Sequence, residues 1–174
     1  QRAVADQAVN GTSFHSQAQA QHWVTAMSER LRGRFGDPVA RIDFLRTVHY
    51  EATRAGLDPQ LVLAVIQVES NFRKYAVSTA GARGYMQVMP FWVSVIGTQD
   101  HNLFHLRTNL RYGCLILRHY LDIERGNLTR ALARYNGSLG QLWYPAMVQN
   151  AWKGSWQYAE APATNAVSKT FSIA

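Results

Sequence analysis

The run from Asp58 to Pro90, DPQLVLAVIQVESNFRKYAVSTAGARGYMQVMP, constrains this chain more than any other. Asp58 and Pro59 mark a helix start. An aspartate in that position accepts a hydrogen bond from a free backbone N–H, and proline is already set for the first helical residue. Leu61, Val62, Leu63, Ala64, Val65, Ile66 and Val68 follow. A helix apolar nearly all round belongs inside a core. Glu69 falls at its end. The residues three, four, seven and eight positions earlier are Ile66, Val65, Val62 and Leu61, so a single carboxyl shares the face of an apolar stripe. Such a site disfavours the charged form and raises the pKa, the setting a general acid needs near neutral pH. Taken alone, a glutamate at a helix end is more often solvated or paired, and Arg73 stands four residues on as the ordinary partner.

The residues after Glu69 shift the balance. Ser70, Asn71 and Phe72 end the helix, and Ser78, Gly81, Ala82, Gly84, Met86, Gln87, Met89 and Pro90 come next. Two glycines within four positions describe a tight loop whose backbone comes close to something else. The stretch resembles the lytic transglycosylases that cleave bacterial peptidoglycan, specifically the soluble type with a lysozyme-like catalytic domain. That family carries a Glu-Ser pair, a Ser nine residues after the Glu, and Gly-Ala-x-Gly-x-Met-Gln-x-Met-Pro. Here Glu69-Ser70, Ser78 and Gly81-Ala82-Arg83-Gly84-Tyr85-Met86-Gln87-Val88-Met89-Pro90 match it without a gap. The resemblance covers roughly residues 37–152 and is strongest over 56–90. It implies a mainly α, lysozyme-like domain with little or no sheet.

A length of 174 residues suits one such domain. We expect it over residues 16–153, between a loose lead-in at 1–15 and a tail at 154–174. The hydrophobic share of 47% and the aromatic share of 11% fit a folded core, with one or two of the five Trp left for a sugar-binding groove. Lys plus Arg exceed Asp plus Glu by 18 − 11 = 7, which favours anionic polymers such as nucleic acid, membranes or cell wall. The basic residues are scattered without a run of five or six, and no nucleic-acid motif appears, so a nucleic-acid partner is not expected. A single cysteine, Cys114, allows no internal disulfide and reads as a core residue. No signal peptide and no apolar run of membrane-spanning length is visible, and the start at Gln1 fits a processed form or excised domain.

The rest of the chain reads as helices. Trp23, Val24, Met27 and Leu31 mark an amphipathic helix from Ser16 to about Arg32. Asp37-Pro38 opens a second, ended by Gly56, on which Glu51 is expected on the solvated face. Phe91–Ile96 is a short helix, Thr108 starts one that runs to about Glu124, and Leu128–Tyr135 is another. Gly113 costs its helix about 1 kcal/mol against alanine and implies close packing against a neighbour. Trp143, Tyr144, Val148 and Trp152 suggest a last helix, beyond which Trp156, Tyr158 and Phe171 are candidates for packing. His101 and His105 stand four apart, a spacing that binds metal on a helix, but loop-like flanks and the lack of a third ligand argue against a metal site. The Asn-Gly-Ser at 136–138 fits a glycosylation acceptor pattern, which is discounted for a bacterial wall enzyme. Further matches to the family are Asn102-Leu103-Phe104, Asn109-Leu110-x-x-Gly113 and Tyr120-Leu121. At the place of its Ala-Tyr-Asn-Ala-Gly, this chain keeps the pair Tyr135-Asn136 and changes the residues around it.

Ordinary glycosidases use two carboxylates, and here Glu69 has no evident second: Asp100 and Asp122 sit in segments without a site pattern. The mechanism that the resemblance implies fits one carboxyl, with no metal and no cofactor. Glu69 protonates the oxygen between N-acetylmuramic acid and N-acetylglucosamine, then takes the proton of the C6 hydroxyl, leaving a 1,6-anhydro sugar. Ser78 would bond the substrate near its N-acetyl or lactyl group, Gly84 would let backbone approach the sugar, and Met86 and Gln87 would line the groove. Tyr135 would place its hydroxyl near Glu69 with Asn136 supporting that turn, and Tyr144 would join the binding residues. Ser70 would brace the helix. The partner implied is the glycan strand, in the periplasm or cell envelope. Three rivals remain open, one of them a nucleic-acid binder supported only by net charge. A goose-type lysozyme-like hydrolase would release reducing ends. A wall-binding module would have no need of a buried acid.

Overall fold

The computed structural model describes residues 13–160. Seven helices make up its regular structure: α1 (Gln17–Leu31), α2 (Pro38–Arg54), α3 (Pro59–Ser70), α4 (Phe91–Ile96), α5 (Leu106–Ile123), α6 (Leu128–Asn136) and α7 (Trp143–Ser155). Among the described residues no strand forms. The segment after α3 holds only two isolated antiparallel bridges, Val77 with Arg83 and Arg83 with Val88. The mainly α expectation stands.

The helix starts follow from local chemistry. Ser16, Asp37, Asp58 and Asn127 each accept a hydrogen bond from a free N–H of the first turn, at Gln19, at Val39 and Ala40, at Gln60 and at Arg130. Gly56 leaves α2 in the left-handed region at φ 69°. The expected start of α5 at Thr108 is corrected to Leu106. His105 precedes it without a side-chain cap, and Asn109 turns its amide to a distant loop instead of capping the helix. α6 runs one residue further than expected, through Asn136. α7 runs past residue 153 to Ser155, and Trp156 beyond it is fully buried. Phe171 lies outside the described residues.

α3 is the centre. Leu61 through Ile66 are all buried, and the helix packs between α2 and α7, while α5 packs against α2 and α6. Trp156 closes the far end of α3 by donating from its indole nitrogen to Gln67 Oε1 at 2.8 Å. The expectation for Glu51 is overturned. It is 1% exposed and takes Arg111 of α5 in a two-point ion pair, Nε to Oε2 at 3.1 Å and Nη2 to Oε1 at 2.9 Å. α5 covers the face of α2 that its own sequence pattern assigns to solvent. No helix among the described residues is long and apolar enough to cross a membrane.

Candidate active site

Glu69 ends α3 with a buried helix behind it and a polar loop ahead. The turn that releases the chain is strained: Asn71 and Phe72 both have positive φ, 47° and 64°. A bulky residue there costs on the order of 1–3 kcal/mol. Burial of the Phe72 ring against Phe44 and Trp156 offsets it. The strain lets the chain leave α3 abruptly, so that the carboxyl is not wrapped by a further helical turn.

The ordinary partner is not used. Arg73 is exposed and donates from Nε to the Ser70 carbonyl at 3.0 Å. Glu69 instead accepts a 2.5 Å hydrogen bond at Oε1 from the hydroxyl of Tyr144, on α7. Burial raises the Glu69 pKa from 4.5 to about 7, and the Tyr144 bond opposes that rise. At neutral pH the group therefore exists in both forms. With Tyr144 holding Oε1, the proton of the acid form sits on Oε2. Tyr144 itself titrates well above its ordinary value, because it is buried beside the Glu69 charge.

The loop from Asn71 to Pro90 is held by groups that reach it from other helices. Ser70 is buried and bonds the carbonyls of Ile66 (3.2 Å) and Tyr85 (2.7 Å), the bracing role expected of it. Asn109 of α5 takes the Met86 N–H at 2.8 Å and donates to the carbonyls of Arg83 (2.9 Å) and Leu103 (2.7 Å). Gly84 is required here, but for a different reason from the one expected. It is buried, its φ is 74°, and a Cβ on it would stand 2.5 Å from Asn109 Nδ2 and 2.7 Å from the Leu103 carbonyl. The close approach is to α5 and its lead-in.

Met86 is likewise corrected. Its side chain is fully buried and fills the space left by Gly113, where a Cβ would stand 2.7 Å from Met86 Cβ. Gly113 thus has the packing role its sequence context implies, and Met86 is core. The Tyr135 hydroxyl donates to the Met86 carbonyl at 2.8 Å. It feels the Glu69 charge, which together with burial holds its pKa well above the ordinary value. The hydroxyl bonded to Glu69 is that of Tyr144, and the Tyr135 hydroxyl fixes the loop.

Gln87 is half-buried at φ 51°, its Nε2 donating to the carbonyls of Ala76 (3.1 Å) and Gly84 (2.9 Å), which leaves its amide oxygen available. Ser78 Oγ accepts from the Ala82 N–H at 3.0 Å and retains its own proton to donate. Asn136 donates to Ser138 Oγ at 2.9 Å, bracing the turn after α6. Tyr144 is thus bonded to Glu69, Tyr135 lies within reach of the Glu69 charge and anchors the loop at Met86, Ser78 and Gln87 bond within that loop, and Met86 and Gly84 act through packing. His101 contacts the Tyr112 hydroxyl at 2.8 Å, and His105 precedes α5. No group of three metal-ligating side chains occurs among the described residues.

Residues 46–157 match the family model described as the transglycosylase SLT domain. A transglycosylase of Enterobacteria phage PRD1 is 32% identical over 100 residues, covering 58% of this chain and 37% of that protein. A membrane-bound lytic murein transglycosylase C of Actinobacillus pleuropneumoniae serotype 5b is 49% identical over 47 residues, 27% of this chain and 13% of that protein. Among solved structures, an inactive mutant of the lytic transglycosylase Slt from Pseudomonas aeruginosa aligns at 26% identity and a TM-score of 0.49, covering 71% of this chain and 23% of that one. The chain spans well under half the length of each.

Proposed function

Since this chain belongs to the transglycosylase SLT domain family, we propose that it cleaves the β-1,4 bond between N-acetylmuramic acid and N-acetylglucosamine in peptidoglycan, with Glu69 acting first as acid and then as base. The observation that carries this reading is the Glu69 carboxyl itself, half-buried, held at a pKa of about 7 and bonded by the Tyr144 hydroxyl. A group that must give a proton and then take one works best with its pKa near the working pH.

In the acid form, Oε2 delivers its proton to the glycosidic oxygen as the bond from C1 to that oxygen breaks. The N-acetyl carbonyl oxygen of the muramyl residue closes on C1 and holds the positive charge. Glu69, now a carboxylate steadied by Tyr144, removes the proton from the C6 hydroxyl, whose oxygen displaces the N-acetyl oxygen at C1. A 1,6-anhydro end results, no water is consumed, and Glu69 recovers its proton. Ser78 and the Gln87 amide oxygen supply polar contacts to the substrate, and Asn136 supports the turn beside Tyr135. The place of action is the cell envelope, where the glycan lies.

The test is mass spectrometry of purified peptidoglycan digested by the protein beside its Glu69→Gln variant. Anhydro-muropeptides from the former and none from the latter are expected. Products heavier by one water would identify a hydrolase. Binding without cleavage by either would identify a wall-binding module and sink the catalytic reading.

A further inference from the structure

Glu69 stands between two residues that a single side chain grips. Trp156, just past α7, donates from its indole nitrogen to the Gln67 side chain at 2.8 Å. Its ring also lies 5.6 Å from that of Phe72, inclined at 60°. Gln67 comes two residues before Glu69, and its carbonyl accepts the Asn71 N–H at 3.0 Å, the bond that closes α3. Phe72 comes three residues after Glu69 and holds the strained φ of 64°. The same indole therefore seats both sides of the abrupt helix end.

Trp156 is in turn held by α1. Arg30, exposed in the last turn of α1, donates from Nη1 to the Gln157 carbonyl at 2.6 Å, and the same nitrogen is 3.5 Å from the Ser155 carbonyl. Those two carbonyls flank Trp156. A second stitch lies three residues past Gln157, where Gln19 Nε2 donates to Glu160 Oε1 at 2.5 Å. α1 also reaches the start of α3, through Trp23 Nε1 to Gln60 Oε1 at 3.1 Å. A guanidinium carries its donors in a rigid fork, and its charge strengthens the bonds it makes, so it fixes the backbone it meets. α1 lies outside residues 46–157, the part of the chain that matches the family model.

We propose that Trp156, locked from α1 by Arg30, is a positioning residue for the Glu69 carboxyl. The path runs from Arg30 to the carbonyls of residues 155 and 157, from Trp156 to Gln67 and Phe72, and through the helix end to Glu69. With the path intact, Phe72 stays in the left-handed region, the chain turns away at Asn71, and the carboxyl meets Tyr144 in one orientation. With it cut, nothing on that side offsets the strain at Phe72. The helix end then relaxes, and the carboxyl gains water. The inference rests on the reading that Glu69 is the acid of the proposed reaction. A misplacement of about 1 Å at a reacting group costs on the order of 100-fold in rate, even when its origin is remote. α1 thus acts on the site from outside the matched domain.

The experiment reads the Glu69 pKa by carboxyl-carbon NMR titration of the full chain without substrate, in the parent, Trp156→Phe, Arg30→Ala and Arg30→Lys. Trp156→Phe keeps a ring beside Phe72 and removes the indole N–H. Arg30→Ala leaves the core unaltered and decides the matter if Trp156→Phe does not fold. Burial is the main cause that holds Glu69 at about 7, so Trp156→Phe and Arg30→Ala should both move it toward 4.5. Loss of the Tyr144 bond alone would move it the other way. Tyr144 and Tyr135, which sense the Glu69 charge, are unchanged in every variant. Arg30→Lys keeps a charged donor and should restore most of the parent value. On peptidoglycan, Trp156→Phe should lower kcat about 10- to 100-fold and leave KM in place, with a smaller fall for Arg30→Ala. A Glu69 titration that coincides with the parent's in the folded variants overturns the proposal, whatever happens to their melting temperatures. Anhydro ends are read separately on the unaltered protein. Their absence overturns the reading of the reaction, while the titration, which needs no turnover, still decides whether Trp156 positions the carboxyl.

Discussion

At Glu69 two influences act on one proton. Burial pushes the pKa up to about 7, and the Tyr144 hydrogen bond holds it from rising further. Tyr144→Phe removes the second influence alone. The limb of the pH–kcat profile that reports Glu69 should then move to higher pH. Loss of a hydrogen bond to a charged group should lower kcat on the order of 10- to 100-fold. A limb that stays where it was in the parent profile would show that Tyr144 does not govern this proton. Position 69 also has a cost in stability. A carboxyl raised from 4.5 to about 7 binds more protons folded than unfolded across that window, so stability is full below pH 4.5 and is lost as pH rises through 7. The shift corresponds to about 3 kcal/mol. Glu69→Gln keeps an acceptor for Tyr144 and has no charge to bury. It should melt higher than the parent at pH 8 and close to it at pH 4.

The element that holds the site is the loop between α3 and α4, and α5 is what it is held against. Asn109 makes three hydrogen bonds to that loop and to the α5 lead-in from a fully buried position. At about 1 kcal/mol for each, Asn109→Ala should cost roughly 3 kcal/mol by denaturant unfolding. Gly113 tests the same contact from the other side. Alanine is the better helix former by about 1 kcal/mol, yet a Cβ at 113 meets Met86 Cβ at 2.7 Å. Overpacking of that kind costs about 1–3 kcal/mol, so Gly113→Ala should be net destabilising. Met86 also carries the carbonyl that receives the Tyr135 hydroxyl, so activity should fall with stability. A more stable, fully active Gly113→Ala protein would show that α5 does not clamp the loop.

Across the whole molecule, a buried group opposes Glu69. His49 is packed between Phe14, stacked on it at 3.7 Å, and Trp23, and its Nδ1 is 2.5 Å from Ser13 Oγ. Burial lowers its pKa from 6.5 to about 4, with Glu160 opposing and His15 assisting that shift. Here the unfolded chain binds the extra proton, so stability rises with pH between 4 and 6.5. The two slopes oppose one another over the shared window, 4.5 to 6.5. Glu69→Gln should unmask the His49 slope: its stability should climb over that window more steeply than the parent's. Equal slopes in the two proteins would contradict the assignment. The buried Glu51–Arg111 pair ties α2 to α5, and Glu51→Gln, which removes the charge of one member of that buried pair, should lower stability by about 3–5 kcal/mol in denaturant unfolding.

Much of this was legible in the chain because it is local. Capping by Asp37 and Asp58, the all-apolar run of α3, the glycine that ends α2 and the carboxyl at the rim of a greasy stripe are each written within a few residues. The direction of the Glu69 pKa shift follows from that stripe. The partners of those groups were not legible, because they lie far away in sequence. Tyr144 is 75 residues from Glu69, Arg111 is 60 from Glu51, Asn109 is 23 from Met86, and Trp156 is 89 from Gln67. A helix's own period says which face is apolar and nothing of what will cover the other, which is why Glu51 read as solvated. By itself, the sequence determined the helices, the capped starts of α2 and α3 and the isolation of one acid. Which tyrosine bonds that acid and why Gly84 and Gly113 must lack a side chain were decided only when α5, α6 and α7 packed round α3, since such contacts exist only between segments brought together by folding.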